Sequence, residues 1–278
     1  MRDWSREGEA EREKLLKPIL NTLRKEFPID GFGKHILVPG SGLGRLAHEL
    51  SKLQGMFSSS VLLRSQVLMG RTGWNVDMAE VSQFAIQTYN FLLNRTTHTH
   101  QYTIYPWATD WQHQRSVEDM IAPITIPDVL PNASNVQLIE GDFTQSLLDP
   151  AYAQKYNAVV TLYFIDTARN FLDYCETIQR VLKPGGLWIN LGRECSILSV
   201  FVSIHDGNNT RIIALKWGAY GSLQLTAEEV LRLVEITGFD IDPASKMEEQ
   251  NVYGHQEQAL LRFTYSKLMT VLIETPEC

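Results

Sequence analysis

Three cysteines in 278 residues, Cys175, Cys195 and Cys278, are too few and too far apart for a disulfide framework or a zinc site. No run approaches the ~18 consecutive apolar residues that a membrane-spanning helix needs; the densest stretch is only Ile197 to Ile204. Positive charge is not in excess either. With 25 Lys and Arg against 32 Asp and Glu, the net charge of −7 offers no electrostatic footprint for DNA or RNA. Repeats, low-complexity tracts and linkers are missing too, so the expectation is a single domain over residues 1–278. The opening MRDWSREGEAEREK is charged from its second residue, unlike a secretory signal. The expected compartment is therefore reducing, cytoplasmic or nuclear, and the Asn-x-Ser/Thr triplets at Asn94, Asn132 and Asn208 are read as chance matches.

What is present is an alternation of helical and strand patterns. Leu15, Leu16, Ile19, Leu20 and Leu23 recur at helical spacing over residues 1–28, and Pro28 ends the pattern. A pattern already under way at residue 1 suggests missing upstream sequence. Residues 35–53 read as a buried strand, a glycine turn and a helix with Leu46, Leu50 and Leu53 on one face. A second strand, Trp74 to Met78, runs on to Glu80. The helix after it reaches Asn94, with Phe84, Tyr89, Phe91, Leu92 and Leu93 as its apolar members. Residues 98–132, rich in His, Trp, Pro and Tyr, read as an irregular substrate-side insert. Strands at 136–140 and 158–164, a helix at 168–182, a KPGG turn and a strand at 187–191 follow. A helix at 227–237 and strands at 239–241 and 268–274 close the chain. Strands alternating with helices predict an α/β fold with a mostly parallel, doubly wound, Rossmann-like sheet.

Four local signals sit in the order that such a fold needs. Val38-Pro39-Gly40-Ser41-Gly42-Leu43-Gly44 leaves room for a ligand where the first strand enters its helix. Its G-x-G-x-G spacing departs from the dinucleotide pattern and favours the loop of methyltransferases that use S-adenosyl-L-methionine (AdoMet), which packs on the methionine part. Glu80, with Asp77 as runner-up, can accept hydrogen bonds from ribose hydroxyls at the end of the second strand. Asp142 and Phe143 can accept from an adenine amino group and stack on its ring, or else form a surface turn with a buried Phe. LKPGGLWIN, 182–190, is a common turn leading into a late strand.

Asp166 follows the apolar VVTLYFI and should emerge at the carboxyl end of the sheet. There a carboxylate can hold a substrate donor and act as a general acid or base. The alternative role is capping the helix near Ala168. His98, His100 and His113 lack metal-site spacing. Tyr105 and Trp107 either wall a pocket or pack under the insert, and Cys175 reads as core.

RDWS (2–5), ILVPGSGLGRLAHEL (36–50), AEVS (79–82), the helix ending NFLLNR, YPW (105–107), IxIPDVxP (124–131), GDF (141–143), FIDTARN (164–170) and LKPGGLWINLG (182–192) recur in one order in a single family. The chain resembles the carnosine N-methyltransferases, the N2227-like proteins, nearly from end to end. The resemblance implies an AdoMet-dependent N-methyltransferase acting on the imidazole of carnosine or a related histidine-containing dipeptide, with AdoMet as cofactor; the sequence leaves the choice between a monomer and a homodimer open. It implies that residues 1–30 form a helical cofactor clamp in which Arg2 meets the AdoMet carboxylate. The family's glutamine three residues earlier has no counterpart here. It further implies Gly40 and Gly42 for the cofactor loop, Glu80 for ribose, Asp142 and Phe143 for adenine, and Leu162 beside the cofactor. Asp166 becomes the catalytic and substrate-binding acid, and Tyr253 lines the dipeptide pocket.

Two stretches depart from the family. Glu80 lies 36 residues beyond Gly44, and the surplus coincides with residues 55–72. After Gly192 the family continues with a proline and a substrate histidine, whereas residues 193–215 intervene here and His205 does not align. Translated intron or lineage insertion would explain both, and both are expected to be poorly ordered or to pack outside the sheet. A catalytically impaired AdoMet-fold binding protein, and a methyltransferase for another small imidazole or amine, are the competing functional readings.

Overall fold

The structure is a computed structural model that describes residues 1–27, 33–53, 73–109, 116–168, 170–193, 196–198, 201–206, 209–214, 223–225, 227–241, 247–253 and 263–274. Side chains are described up to Gly192, Asp166 excepted, and again over 228–241. The chain runs through α1 (Glu9–Glu26), β1 (His35–Pro39), α2 (Arg45–Ser51), β2 (Asn75–Glu80), α3 (Gln83–Arg95), β3 (Tyr102–Ile104), β4 (Ile124–Ile126), β5 (Val136–Glu140), β6 (Tyr156–Leu162), α4 (Phe171–Val181) and β7 (Leu182–Arg193). Then come β8 (Ser196–Leu198), β9 (Phe201–Asp206), β10 (Asn209–Ala214), β11 (Leu223–Leu225), α5 (Ala227–Ile236), β12 (Phe239–Ile241), β13 (Met247–Tyr253) and β14 (Phe263–Glu274). These elements fall into two compact units. One is Met1–Lys34, Ser41–Glu140 and Gln250–Tyr265; the other is His35–Gly40, Gly141–Glu249 and Ser266–Cys278.

In the first unit, α1 buries Leu15, Leu16, Ile19 and Leu23, as their spacing predicts, and adds Glu11 and Arg12 to the same buried set. Acidic residues in its first turn and Arg24 and Lys25 in its last complement the helix dipole. Strands β2 and β5 are parallel, with Glu80 opposite Glu140 at their carboxyl ends. Ser82 caps α3 by accepting from the Ala85 amide. That helix buries Ile86, Tyr89 and Leu92, whereas Phe84 is 86% exposed and Phe91 46%. Phe84 precedes Tyr89 by five residues, about 140° around the helix, so the two cannot share a face. The expected irregular stretch 98–132 contains an antiparallel ladder of β3 with β4, Tyr102 opposite Ile126, and a one-turn helix over Val117–Met120.

In the second unit β1, β6 and β7 are parallel neighbours, Ile36 opposite Ala158 and Val160 opposite Ile189. Ile36, Leu37, Val38, Val159, Val160 and Ile189 are almost wholly buried, the continuous apolar pattern of a parallel sheet covered on both faces. β14 runs antiparallel between β7 and β12. The KPGG turn is absorbed into β7: Tyr156 pairs with Leu182 and Ala158 with Leu187, so residues 183–186 bulge between the two pairs. Trp188 Nε1 donates to Thr161 Oγ1, which donates to Asn190 Oδ1, so these buried polar groups satisfy one another. Mostly parallel strands joined by helices give the α/β fold that the alternation predicted.

The surplus residues 193–215 contribute β9 and β10, which pair with each other in a two-stranded antiparallel sheet of their own. β8 pairs with β11 in another. Of the other surplus stretch, 55–72, every residue lies outside the described ones. No helix among the described residues is long and apolar enough to cross a membrane.

Candidate functional site

The glycine loop begins where β1 ends, and its three glycines differ in what surrounds them. At Gly44 (φ 76°) an added Cβ would lie 2.7 Å from the Tyr89 ring. At Gly40 (φ 61°) it would lie 2.2 Å from the Phe164 ring. Both sites are therefore demanded by protein neighbours. At Gly42 (φ 56°) nothing lies within 4 Å, so this glycine presents open backbone. The Gly42 amide donates to Glu80 Oε2 at 2.7 Å, while Glu80 Oε1 accepts from the amides of Val81 (2.9 Å) and Ser82 (2.8 Å). Glu80 is only 8% exposed. Three amides fix the orientation of a carboxylate with roughly four acceptor positions, leaving capacity for one more donor such as a hydroxyl. Asp77, the runner-up, is buried in the same strand.

The RDWS segment is tied to the same loop. Trp4 is buried, and its Nε1 donates to the Leu43 carbonyl at 2.8 Å. Arg12 Nη1 donates to the carbonyls of Arg2 and Ser5, and Arg45 Nη1 donates to that of Asp3. Both guanidiniums converge on Asp128 of the IPDVLP motif, Arg12 at 2.5 Å and Arg45 at 2.7 Å. Burial, and then Arg45 beside it, pull Arg12 below its ordinary range, while Asp128 opposes the shift. Arg2 itself is half-buried, with Nε 2.8 Å from Asp3 Oδ1. Sequence reasoning gave Arg12, Arg45 and Asp128 no role. The available signal was Arg12 itself, on the same stripe as Leu15, Leu16 and Ile19, where a buried cation requires a partner.

In the second unit, Phe143 is buried and meets Phe164 at 5.4 Å and Tyr174 at 5.3 Å, both edge to face. Phe164 and Tyr174 stack at 4.8 Å. The β1–β6 pairing explains why Phe164 reaches Gly40: the two follow the carboxyl ends of adjacent parallel strands. Asp142 is exposed and caps the turn Phe143–Ser146, its Oδ1 accepting from the Thr144 amide and hydroxyl. Leu162 ends β6 opposite Leu191, and Tyr163 after it takes a left-handed φ of 52°. A non-glycine residue there stores strain of the kind concentrated at functional sites.

Asp166 lies in the 3-10 turn Ile165–Thr167, just past the carboxyl end of β6 as its motif predicts; its side chain is outside the description. α4 starts later than expected and is capped by Asn170, which accepts from the Leu172 amide. That assignment removes the helix-cap alternative for Asp166. Tyr253 ends β13 and His205 lies on β9 opposite Thr210, their side chains likewise undescribed. His98 and His100 hydrogen-bond Thr97 and Thr125, and His113 lies outside the described residues. Tyr105 is exposed and Trp107 half-buried. Cys175 is fully buried, which pushes its thiol up to about 12 and makes it the inert core residue expected.

A family model described as carnosine N-methyltransferase matches residues 1–276. The carnosine N-methyltransferase of Mus musculus is 36% identical over 245 residues, 83% of this chain and 54% of the mouse protein. Its Drosophila melanogaster counterpart is 31% identical over 277 residues, 97% of this chain and 52% of that one. The chain thus spans about half the length of the curated relatives it matches. A solved Bacillus halodurans structure described as a methyltransferase aligns with a TM-score of 0.50 at 9% identity, covering 92% of this chain and 99% of that one, a likeness of fold. Motif order, fold and the match over almost every residue lead to one conclusion: the chain belongs to the carnosine N-methyltransferase family.

Proposed function

We propose that this chain transfers a methyl group from AdoMet to an imidazole nitrogen of carnosine or a related histidine-containing dipeptide, yielding anserine from carnosine. The observation that carries this reading is the loop at Gly42, open to solvent and braced by the buried Glu80 carboxylate. Backbone that a side chain would cover, beside a carboxylate with capacity for another donor, suits a ligand bearing ribose hydroxyls. When bound, AdoMet supplies an electrophilic methyl group on a sulfonium centre.

The chain's own residues would bind and orient. Arg2 would pair with the cofactor carboxylate, Gly40 and Gly42 would form the loop against its methionine part, and Glu80 would accept from the ribose. Asp142 would accept from the adenine amino group, with Phe143 contributing ring surface and Leu162 apolar contact. Asp166 would accept the N–H of the substrate imidazole, holding the tautomer whose other nitrogen attacks, and would take up the proton that becomes acidic as the ring gains charge. Tyr253 would line the dipeptide pocket.

Calorimetry with AdoMet, NAD and ATP, followed by labelled methyl transfer to carnosine and other imidazoles, tests the proposal. Binding of AdoMet alone and label on carnosine are expected. NAD binding without AdoMet binding would end it, and AdoMet binding with no transfer to any imidazole would favour a binding protein.

A further inference from the structure

Residues 1–8 are held by a dense set of hydrogen bonds. Every carbonyl of RDWS is engaged: Arg2 by Arg12, Asp3 by Arg45, Trp4 by the Asp128 amide and Ser5 by Arg12 again. The turn closes on itself, with the Ser5 amide donating to the Met1 carbonyl and the Gly8 amide to Ser5 Oγ. Gly8 has an ordinary φ of −82°, so its backbone does not require glycine. Its neighbour does: a Cβ at residue 8 would lie 2.5 Å from the Arg2 carbonyl oxygen and 2.6 Å from the Arg2 Cα. Two buried guanidiniums converging on Asp128, with Glu49 as a second partner of Arg45, are an expensive way to stabilise a fold, since desolvation offsets much of their attraction. They do fix geometry, and here the geometry fixed is that of residues 2–5 against Leu43 of the glycine loop.

We infer that Gly8 and Asp128, the latter through Arg12 and Arg45, are positioning residues that set Arg2 for the carboxylate of the cofactor's amino-acid end. The inference rests on the AdoMet reading of Arg2 above. It assigns the IPDVLP motif a function: Asp128 acts at a distance, through two arginines and the carbonyls they hold. It also separates two contributions to cofactor affinity. The amino-acid end depends on the hook formed by residues 2–8 and held by Arg12, Arg45 and Asp128, and the adenosine end does not.

The test is calorimetry on the full chain with two ligands, S-adenosylhomocysteine and 5′-methylthioadenosine, which keeps the adenosine and thioether but lacks the amino-acid portion. Gly8→Ala and Asp128→Asn should each weaken S-adenosylhomocysteine about 10- to 100-fold, the worth of a charge-assisted contact, and leave methylthioadenosine within about twofold. Arg2→Ala should show the same split, and adding Gly8→Ala to it should change the split no further. Equal weakening of both ligands by Gly8→Ala would reduce the hook to a structural element, and unchanged affinities would remove it from binding altogether. Gly8→Ala removes none of the charged groups, so it stays informative should Asp128→Asn fail to fold. If Arg2→Ala fails to discriminate the ligands, the AdoMet reading of Arg2 is what falls; if it discriminates and Gly8→Ala does not, only the positioning idea falls.

Discussion

His48 is 3% exposed, its Nδ1 accepts from the Asn132 amide, and its Nε2 meets no hydrogen-bond partner among the described residues. Burial, reinforced by Lys52 and opposed by Glu49, lowers its pKa from 6.5 to about 4. Between those values the unfolded chain binds a proton that the folded chain refuses, so stability is complete above about pH 6.5 and declines as pH falls toward 4. The slope is at most ~1.4 kcal/mol per pH unit for one such proton. His48→Gln retains an acceptor for Asn132 and should flatten urea-derived stability across that window by about one proton; an unchanged slope would mean that His48 does not titrate there. Glu80 offers a second prediction at this scale. Glu80→Gln turns an NH2 group toward amide donors, so it should cost roughly 1–3 kcal/mol in stability and weaken AdoMet as well. Chemical denaturation and calorimetry on the same variant check both effects.

Among the elements, the glycine loop separates packing from binding within five residues. Gly40→Ala combines a left-handed φ with a clash against Phe164 and should destabilise by more than the ~1–2 kcal/mol of backbone strain alone. Gly42→Ala carries that strain without a clash, so it should remain folded while losing AdoMet affinity. Melting curves beside titrations distinguish them, and equal behaviour of the two variants would contradict the contrast. The motif spacing revealed the loop but not this division, because Phe164 lies 124 positions after Gly40 in the chain. The strands were legible for a simple reason: ILV, AVV and LWI runs have few alternatives to a buried parallel strand. α3 was legible as a helix yet not in its facing, since Phe84 and Phe91 are apolar residues left at the surface. The hook was visible as two motifs and no more. What joins Arg12 to Asp128 is a contact across 116 positions, which neither local periodicity nor a motif encodes.

Across the whole chain, the family assignment and the α/β fold agree with the order of the sequence motifs, and the two surplus stretches interrupt that order without displacing it. β9 and β10 form a ladder of their own rather than replacing a strand of the parallel sheet. The proposed methyl transfer turns on Asp166, which the backbone sets just beyond the carboxyl end of β6, while Asn170 caps α4. The most direct measurement is labelled methyl transfer from AdoMet to carnosine by the chain and by its Asp166→Asn variant, with AdoMet affinity measured on both. Turnover is expected to fall by about 10²–10⁴-fold, the span of a positioned acid–base group, with AdoMet affinity nearly unchanged. Near-wild-type turnover in the variant would contradict the account.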